Sequence, residues 1–431
     1  METISYYRPA EETLDPGALF RLQRQKLATL FDEILGRNSF YSTKFAGLHF
    51  DPLNDSLDRL PFTTRKELEA DQIAHPPYGS NLTFPIDQYC RLHQTSGSGG
   101  RAMRWLDTQE SWNWFKNLWG TIFSAAGVKR GDRLLFPFSF GPFVGFWAAF
   151  ESAAALGNLA LAAGGMTTTA RLKMMIDNEV DVVCCTPTYA MRMAEVAREE
   201  GIDLAGTKVS KLIVAGEAGG SIPEIRNRIQ QSWGARVFDH TGMTEIGALG
   251  FECEQVPLGV HLNEAECIAE VIDPQSGASV PDGELGELVL TNLGRWGSPL
   301  IRYRTNDQVR LSRRKCACGR WFARMEGGIL GRYDDMITVR GNNVFPAGIE
   351  AVIRRFPQVD EFRVTIAGNG ALAEVCIEIE QTDNASDQNF AEQVGRAVQD
   401  TLSFRAQVLN VPRGTLPRFE MKARRFIRRA N

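Results

Sequence analysis

The chain has no apolar run long enough to cross a bilayer. Its longest candidate, Phe143 to Gly165, is interrupted by Glu151, Asn158 and several glycines, and reads as a buried helix followed by a strand. The opening METISYYRPAEETLDP has neither a basic n-region nor an apolar h-region, so no signal peptide is expected and a cytoplasmic location is. Surplus positive charge is missing too. With 48 Lys and Arg against 52 Asp and Glu, the formal net charge is −4, which removes the electrostatic reason to expect a nucleic-acid partner. There are no internal repeats, no long low-complexity tract and no G-x-x-x-x-G-K-[ST] pattern, which argues against a repeat architecture and a Walker-type NTPase. What remains is 431 residues that are 43% hydrophobic and 23% charged, an ordinary globular composition with length for two or three domains.

Periodicity divides the chain. The first hundred residues read as helical, with apolar residues at helical spacing in LFRLQRQKLATLFDEILG (19–36). From about Arg133, the short apolar runs RLLFPF, NLALAA, VDVVCCTP, KLIVAGE and ARVFDHTG alternate with amphipathic stretches such as TTTARLKMMIDNE and YAMRMAEVAREEG. That alternation predicts a largely parallel sheet covered on both faces, hence an α/β fold. After Cys253 the strands ECIAEVID and GELGELVLTNL follow without helices, which predicts an antiparallel or barrel-like part. Composition changes again near Tyr333. A strand (MITVRG), a helix (AGIEAVIRRF), two strands (EFRVTIAG, AEVCIEIE), a helix (389–404) and a basic tail predict a small α+β domain. We therefore expect a large domain over 1–333 and a small one over 334–431.

Eight cysteines in a chain of this class read as thiols or metal ligands rather than disulfides. Cys184, Cys185, Cys267 and Cys376 lie in apolar strand-like runs, where Cys acts as a small hydrophobe. Cys253 and His261 (C-x₇-H), with Cys316 and Cys318 (C-x-C), supply four ligands that suit tetrahedral, structural Zn²⁺. The alternative is reduced cysteines near a turn at Gly319.

The stretch HQTSGSGGRAMRW (93–105) concentrates glycines and hydroxyls. Glycines permit the φ values with which successive N–H groups converge on phosphate, and Thr95, Ser96, Ser98 and Arg101 add donors and charge. A flexible linker has the same composition. Strand-like YCRLHQ before it and MRWLDT after it favour a hairpin with a positioned loop.

Four more stretches follow in order: DHTGMTE (239–245), IRYRTNDQV (301–309), GRYDDMITVRGNNVFPAGIE (331–350) and GTLPRFEMKARRF (414–426). Together with TSGSGGR, this ordered set resembles the core motifs of the adenylate-forming superfamily. VRGNNVFP with its following helix, ECEQVPLGVH and CACGR are similar to the phenylacetate–CoA ligase family in particular. The resemblance runs from about His93 to the C-terminus. It implies an adenylate-forming fold whose small C-terminal domain moves against the large one, and a homodimer.

The resemblance also implies the chemistry. A carboxylate attacks the α-phosphorus of ATP, pyrophosphate leaves, and CoA then takes the acyl group with release of AMP. That task rests on positioning and electrostatics. Phosphates are assigned to Thr95, Ser96, Gly97, Ser98, Gly99, Gly100 and Arg101, and Mg²⁺ to Glu245. Gly216, Glu217, Asp239, His240, Thr241, Gly242, Met243 and Thr244 form the rest of the nucleotide site, with Asp307 and Arg332 on the ribose. Lys422, singled out by G-x-L-P-R-x-x-x-K-A, is expected to reach the developing phosphoryl charge, although the arginines around it also fit a solvated tail. Asp334 is the implied hinge, and Gly341 would line a pantetheine channel beside Asn342 and Asn343. Two departures stand out. Thr241 replaces the aromatic usual before Gly, and Arg101-Ala102 replaces Lys-Pro.

FPFSFGPFVGFWAAF (136–150) is dense in aromatics and VAGEAGG (214–220) in small residues, as a flat slot for a small aromatic acid would be. Phe136, Phe140, Ala215, Gly216, His240 and Met243 are the lining candidates. If His240 faces the ring, an ortho-amino or ortho-hydroxy benzoate is favoured, anthranilate first. The readings weighed against an aryl–CoA ligase are transfer to a carrier-protein thiol or an amine, and a catalytically silent nucleotide-binding protein.

Overall fold

The computed structural model describes residues 4–95, 102–339, 342–368, 374–382, 389–420 and 422–429. One hydrogen-bonded path of strands runs through most of it. Its parallel half is ordered Leu159–Ala162, Arg133–Phe136, Val182–Cys185, Lys211–Val214 and Arg236–Met243. These runs are apolar throughout because both faces are covered. The period of two shows in the cores. Leu134, Phe136, Val182, Cys184, Ile213 and Phe238 join one cluster, together with helices Gln109–Ala125 and Trp147–Ala155. Their strand neighbours Leu135, Val183, Cys185, Leu212, Val214 and Val237 join another, under helices Thr168–Asp177, Pro187–Glu199 and Pro223–Trp233. Cys184 and Cys185 thus fill opposite faces, and burial pushes both thiols up, away from ionisation.

Strand Arg236–Met243 is where the sheet changes character. Its first half pairs parallel with Lys211–Val214 and its second half antiparallel with Gly247–Phe251. The path continues antiparallel through Gly259–Leu262, Arg324–Glu326, Tyr303–Ser312, Leu285–Asn292 and Cys267–Ile272. The fold class read from the sequence holds, including the strand pairs expected after Cys253.

A smaller four-stranded sheet, ordered Gln407–Val411, Glu374–Gln381, Val359–Ala367 and Phe426–Arg429, carries helices Pro346–Arg354 and Phe390–Leu402. Its core, from Ile337 to Phe404, is separate from the other clusters. The basic tail is more than solvated surface, since Phe426–Arg429 forms a parallel edge strand against Val359–Ala367. Among the described residues, no helix is long and apolar enough to cross a membrane.

Candidate functional site

The expected hairpin exists: Tyr89–Gln94 pairs antiparallel with Arg104–Thr108. Thr95 closes its open end, its N–H donating to Met103 O at 2.9 Å and its Oγ1 accepting from Met103 N at 3.0 Å. Ser96, Gly97, Ser98, Gly99, Gly100 and Arg101 lie outside the described residues, as does Gly341. Gln94 N donates to Pro142 O at 2.6 Å, which fastens the hairpin to the aromatic stretch that follows Phe136.

Behind the hairpin sits a residue the motifs did not reveal. Arg295 is fully buried and grips Asp107 with two bonds, 2.7 and 2.9 Å. Its Nη1 donates to the backbone carbonyls of Thr244 and Glu245 at 2.7 and 2.8 Å, and the guanidinium lies over the rings of Phe115 and Trp105. Strand Arg104–Thr108 is thereby clamped to the turn that carries Glu245. The Glu245 side chain is buried and accepts from Tyr303 Oη at 3.2 Å.

The IRYRTNDQV and GRYDD motifs meet through strand pairing. Gly331–Arg332 lies antiparallel to Tyr303–Ser312, with Asp307 opposite Arg332. Arg332 Nη1 stands 3.3 Å from Asp307 Oδ1, while Asp307 Oδ2 is buried without a hydrogen-bond partner among the described residues. An orphaned acceptor of this kind is suited to a ligand hydroxyl. Burial pushes the Asp307 carboxyl up to about 7, with Glu245 adding and Arg332 opposing. Asp307 lies within a strand, although Asn306 beside it takes a left-handed φ of 59°. Asp334 falls in the short turn after Arg332, 3.3 Å from Asn306 Nδ2 and 3.6 Å from the Arg332 guanidinium.

Lys422 reaches the same cleft. Its Cε passes over Gly216, where a Cβ would come within 3.4 Å, and Gly216 itself has a φ of +95°. Lys422 keeps water-accessible surface along the cleft, yet the protein atoms crowding it lower its pKa. Glu217, Glu245 and Asp307 act on the ammonium as attractors and Arg332 as a repeller. Glu217 anchors the segment, accepting from Ala423 N at 2.9 Å and from Thr188 N at 2.8 Å. Arg425 is buried in a pair with Glu361 at 2.6 and 3.0 Å, and it extends to Thr188 Oγ1 at 3.1 Å.

A chain of rings forms the apolar wall. Phe140 contacts Phe138 (5.3 Å between centroids), Phe138 contacts Phe146 (5.9 Å), Phe146 contacts Trp119 (5.8 Å), and Trp119 contacts His240 (4.5 Å). Phe136 needs correcting. It is 0% exposed, packed against Phe146 and Phe150, so it backs the wall and cannot face an open slot. Phe140, Ala215 and Met243 are half-buried and remain available to line it. His240 is buried, and its Nδ1 lies 2.6 Å from Gly250 O. A carbonyl accepts only, so Nδ1 carries the proton. Burial lowers the ring to about 4, keeping it neutral, with no hydrogen-bond partner for Nε2 among the described residues. Asp239 points elsewhere, accepting from Ser221 Oγ at 2.5 Å, and burial lifts it to about 7. Gly242 sits where a Cβ would meet Gly247 O at 2.8 Å, which keeps the bulged strand tight, with Thr241 and Thr244 half-buried on either side.

Cys253, His261, Cys316 and Cys318 converge in a separate buried cluster, their ligand atoms all within 4.8 Å of one another. Cys253 Sγ and Cys316 Sγ are 3.8 Å apart, and Cys318 Sγ is 3.7 Å from His261 Nε2. His261 Nδ1 stands 3.0 Å from Phe322 O, which fixes the ring with Nε2 toward the thiols.

The geometry was missed where it depends on packing. Arg295, Asp107 and Trp119 belong to no motif, and their one sequence signal is a charged or polar group inside an apolar strand or helix pattern; Tyr303 lies within IRYRTNDQV, which assigns it no role.

Comparison with known proteins places this arrangement. The model of the AMP-binding enzyme C-terminal domain matches residues 341–429. The chain is 29% identical over 439 residues to a phenylacetate-coenzyme A ligase of Thermus thermophilus, covering 96% of this chain and 97% of that one. It is 30% identical over 425 residues to the Pseudomonas putida enzyme of the same name, covering 96% and 94%. Among solved structures, 2-hydroxyisobutyryl-CoA ligase in its postadenylation state with 2-HIB-AMP superposes with a TM-score of 0.91 at 28% identity, over 98% and 92% of the two chains. The same enzyme with CoA in its thioesterification state gives 0.72 at 28% identity, over 99% and 92%.

The raised Asp307 pKa has a consequence for stability. Between the unfolded value near 4 and about 7, the folded state holds a proton that the unfolded state releases. Stability from this group is therefore full at low pH and lost as pH rises, by up to about 1.4 kcal/mol per pH unit. Asp307→Asn is expected to match the wild type near pH 4 in urea unfolding and to exceed it above pH 7.

Proposed function

The chain belongs to the phenylacetate–CoA ligase family, and on that premise we propose that it activates a small aromatic acid bearing a hydrogen-bond donor ortho to the carboxyl, anthranilate first. As a member it is an ATP-dependent, AMP-forming ligase that makes an acyl-CoA through an acyl-adenylate. The observation that carries the finer reading is His240, a neutral ring with its donor spent on Gly250 O and an acceptor left over beside an aromatic wall. An ortho-amino or ortho-hydroxy group would satisfy that acceptor, and the flat rings suit an aryl substrate. The α-hydroxy acid named for 2-hydroxyisobutyryl-CoA ligase also carries a donor near its carboxyl, one bond closer than an ortho substituent, so such acids form the comparison set.

In the first half-reaction a carboxylate oxygen attacks the α-phosphorus, and the bond to the pyrophosphate oxygen breaks. Lys422, held over Gly216, is assigned to the charge that builds on the phosphoryl oxygens and to the incoming carboxylate. Asp307 Oδ2 accepts from a ribose hydroxyl and Arg332 donates to the ribose. Thr95 and residues 96–101 are assigned to the phosphates. Glu245, with Oε1 occupied by Tyr303, would hold Mg²⁺ through its other oxygen, and the ion would neutralise the leaving phosphates. Thr241 offers no stacking face, so adenine would be held by other groups of the site or more weakly. In the second half-reaction the small domain, residues 334–431, turns about Asp334 and brings the strand at Gly341 toward CoA. The thiolate attacks the adenylate carbonyl and AMP leaves. Support comes from the higher similarity to the postadenylation state than to the thioesterification state of one relative. The reading includes a cytoplasmic homodimer, on family grounds alone.

We assign the Cys₃His cluster to structural Zn²⁺. Tetrahedral Zn–S bonds of about 2.3 Å require sulfurs about 3.8 Å apart, and Cys253 and Cys316 stand at 3.8 Å.

Three outcomes are expected. Lys422→Ala should slow adenylate formation about 10²–10³-fold, as loss of a preorganised charge does, while preformed adenylate still reacts with CoA. Unchanged adenylation would remove Lys422 from the chemistry. His240→Ala should lower kcat/KM for anthranilate about tenfold, one hydrogen bond's worth, and leave benzoate within about twofold; equal effects on both acids would sink the ortho-donor assignment. Purified protein should carry one zinc per chain by elemental analysis, and Cys318→Ser should lose both the metal and several degrees of Tm.

A further inference from the structure

A cavity of about 260 Å³ lies away from the cleft, between helices Pro187–Glu199 and Pro223–Trp233 and the C-terminal sheet domain. It is smaller than the usual pocket for an organic ligand, about 300–1,000 Å³, and suits an ion or a very small molecule. Six arginines and four carboxylates line it. The carboxylates are committed. Glu361 is taken by Arg425 at 2.6 Å, Asp360 by Arg418 at 3.0 Å, and Glu195 by Arg192 at 2.6 Å, while Asp203 accepts from Ala205 N in its own loop.

That leaves Arg198, Arg228 and Arg354 without a close carboxylate partner among the described residues, in a lining where guanidiniums outnumber carboxylates six to four. Arg198 comes no nearer than 3.9 Å to Asp360, and Arg228 Nη1 donates to the Val359 carbonyl at 2.8 Å. Arg354 is buried, its Nε has no hydrogen-bond partner among the described residues, and its carboxylate contacts with Glu350 and Glu361 are long, at 3.7 Å. Burial, reinforced by the neighbouring arginines, lowers both Arg228 and Arg354 below the ordinary guanidinium value. Guanidinium forks facing a small void match the geometry of a tetrahedral oxyanion.

We propose that this cavity binds a small oxyanion of the phosphate class, and that filling it holds the arrangement in which Lys422 faces the cleft. Arg198 and Arg228 come from the large domain, Arg354 and Arg418 from the small one. Turning one domain against the other separates the walls, so an anion bound here favours the present arrangement by its full binding energy. The binding half of the proposal is independent of the ligase reading; the effect on the two half-reactions rests on it.

The test uses the full chain and potassium phosphate, against potassium chloride at equal ionic strength, without nucleotide. Saturable binding by calorimetry and a matching rise in Tm are expected, with both lost in the Arg198→Gln/Arg228→Gln double variant. Arg198→Gln alone, at an exposed position, should weaken binding several-fold and covers the case in which the double variant does not fold. Phosphate should slow CoA transfer from preformed adenylate several-fold and leave adenylate formation within about twofold. Absence of saturable binding, retention of it in the double variant, or its displacement by ATP would overturn the site. Binding without slower transfer would overturn the coupling. If no acid supports adenylate formation, the ligase reading fails, and the phosphate isotherms still decide the site.

Discussion

The Arg295–Asp107 pair is the constraint on which the site's geometry rests. It joins a strand that leaves the glycine-rich loop to a turn almost 140 residues later, and four of the guanidinium's donors reach partners at 2.7 to 2.9 Å. Both side chains are completely buried. Removing one partner from such a pair costs about 3–5 kcal/mol, because the other charge is stranded without water. An apolar replacement for the whole pair could be as stable, so stability alone does not explain it. A hydrophobic contact would not fix direction. Two bonds to one carboxylate and two to consecutive carbonyls set the Glu245 turn at one orientation relative to the loop base, and that orientation is what a phosphate and its counter-ion would require.

Topology delivers the remaining groups to the same edge. Gly216 and Glu217 follow the strand Lys211–Val214, and Met243 ends the next one. The first pair lies at the carboxyl end of a parallel strand, where open α/β sheets leave their crevice, and Met243 closes the antiparallel extension of the next strand beside it. Asp307 and Arg332 arrive from the antiparallel half, because strand Arg236–Met243 changes partners along its length. A wholly parallel sheet would end at that strand and leave the cleft with one wall.

The fold class and most strands were legible because each rests on local periodicity. RLLFPF, VDVVCCTP and KLIVAGE are continuous apolar runs, and they are strands whose alternate residues serve two cores. The motif residues Glu245, Asp307, Arg332 and Lys422 stood out by residue type and spacing, and the fold brings them close enough to act on one another's charge. Phe136 was misplaced because an aromatic-rich run does not say which ring faces outward; alternation along the strand sends it into the core. Arg295 and Trp119 were invisible for the converse reason. Their roles come from partners 188 residues away in one case and from a tilted ring contact with His240 in the other, and no window of sequence contains both members.

The boundary between the two sheets obeys a different rule from the cores. It is held by Arg171–Glu420, Arg413–Glu199, Arg355–Glu224 and Arg418–Glu195, at 3.2 to 3.4 Å, with Arg425 and Glu217 nearer the cleft. Apolar clusters stop short on either side. The more exposed pairs here, Arg413–Glu199 and Arg355–Glu224, gain about 1 kcal/mol or less each, since water takes over each charge when the pair opens. A greasy interface of the same area would lose its burial energy on opening and would lock. Charge at this seam therefore gives contacts that orient Lys422 with definite geometry and still separate at low cost. That combination suits the proposed turn, in which the small domain would present first a lysine and then a different strand to one bound intermediate.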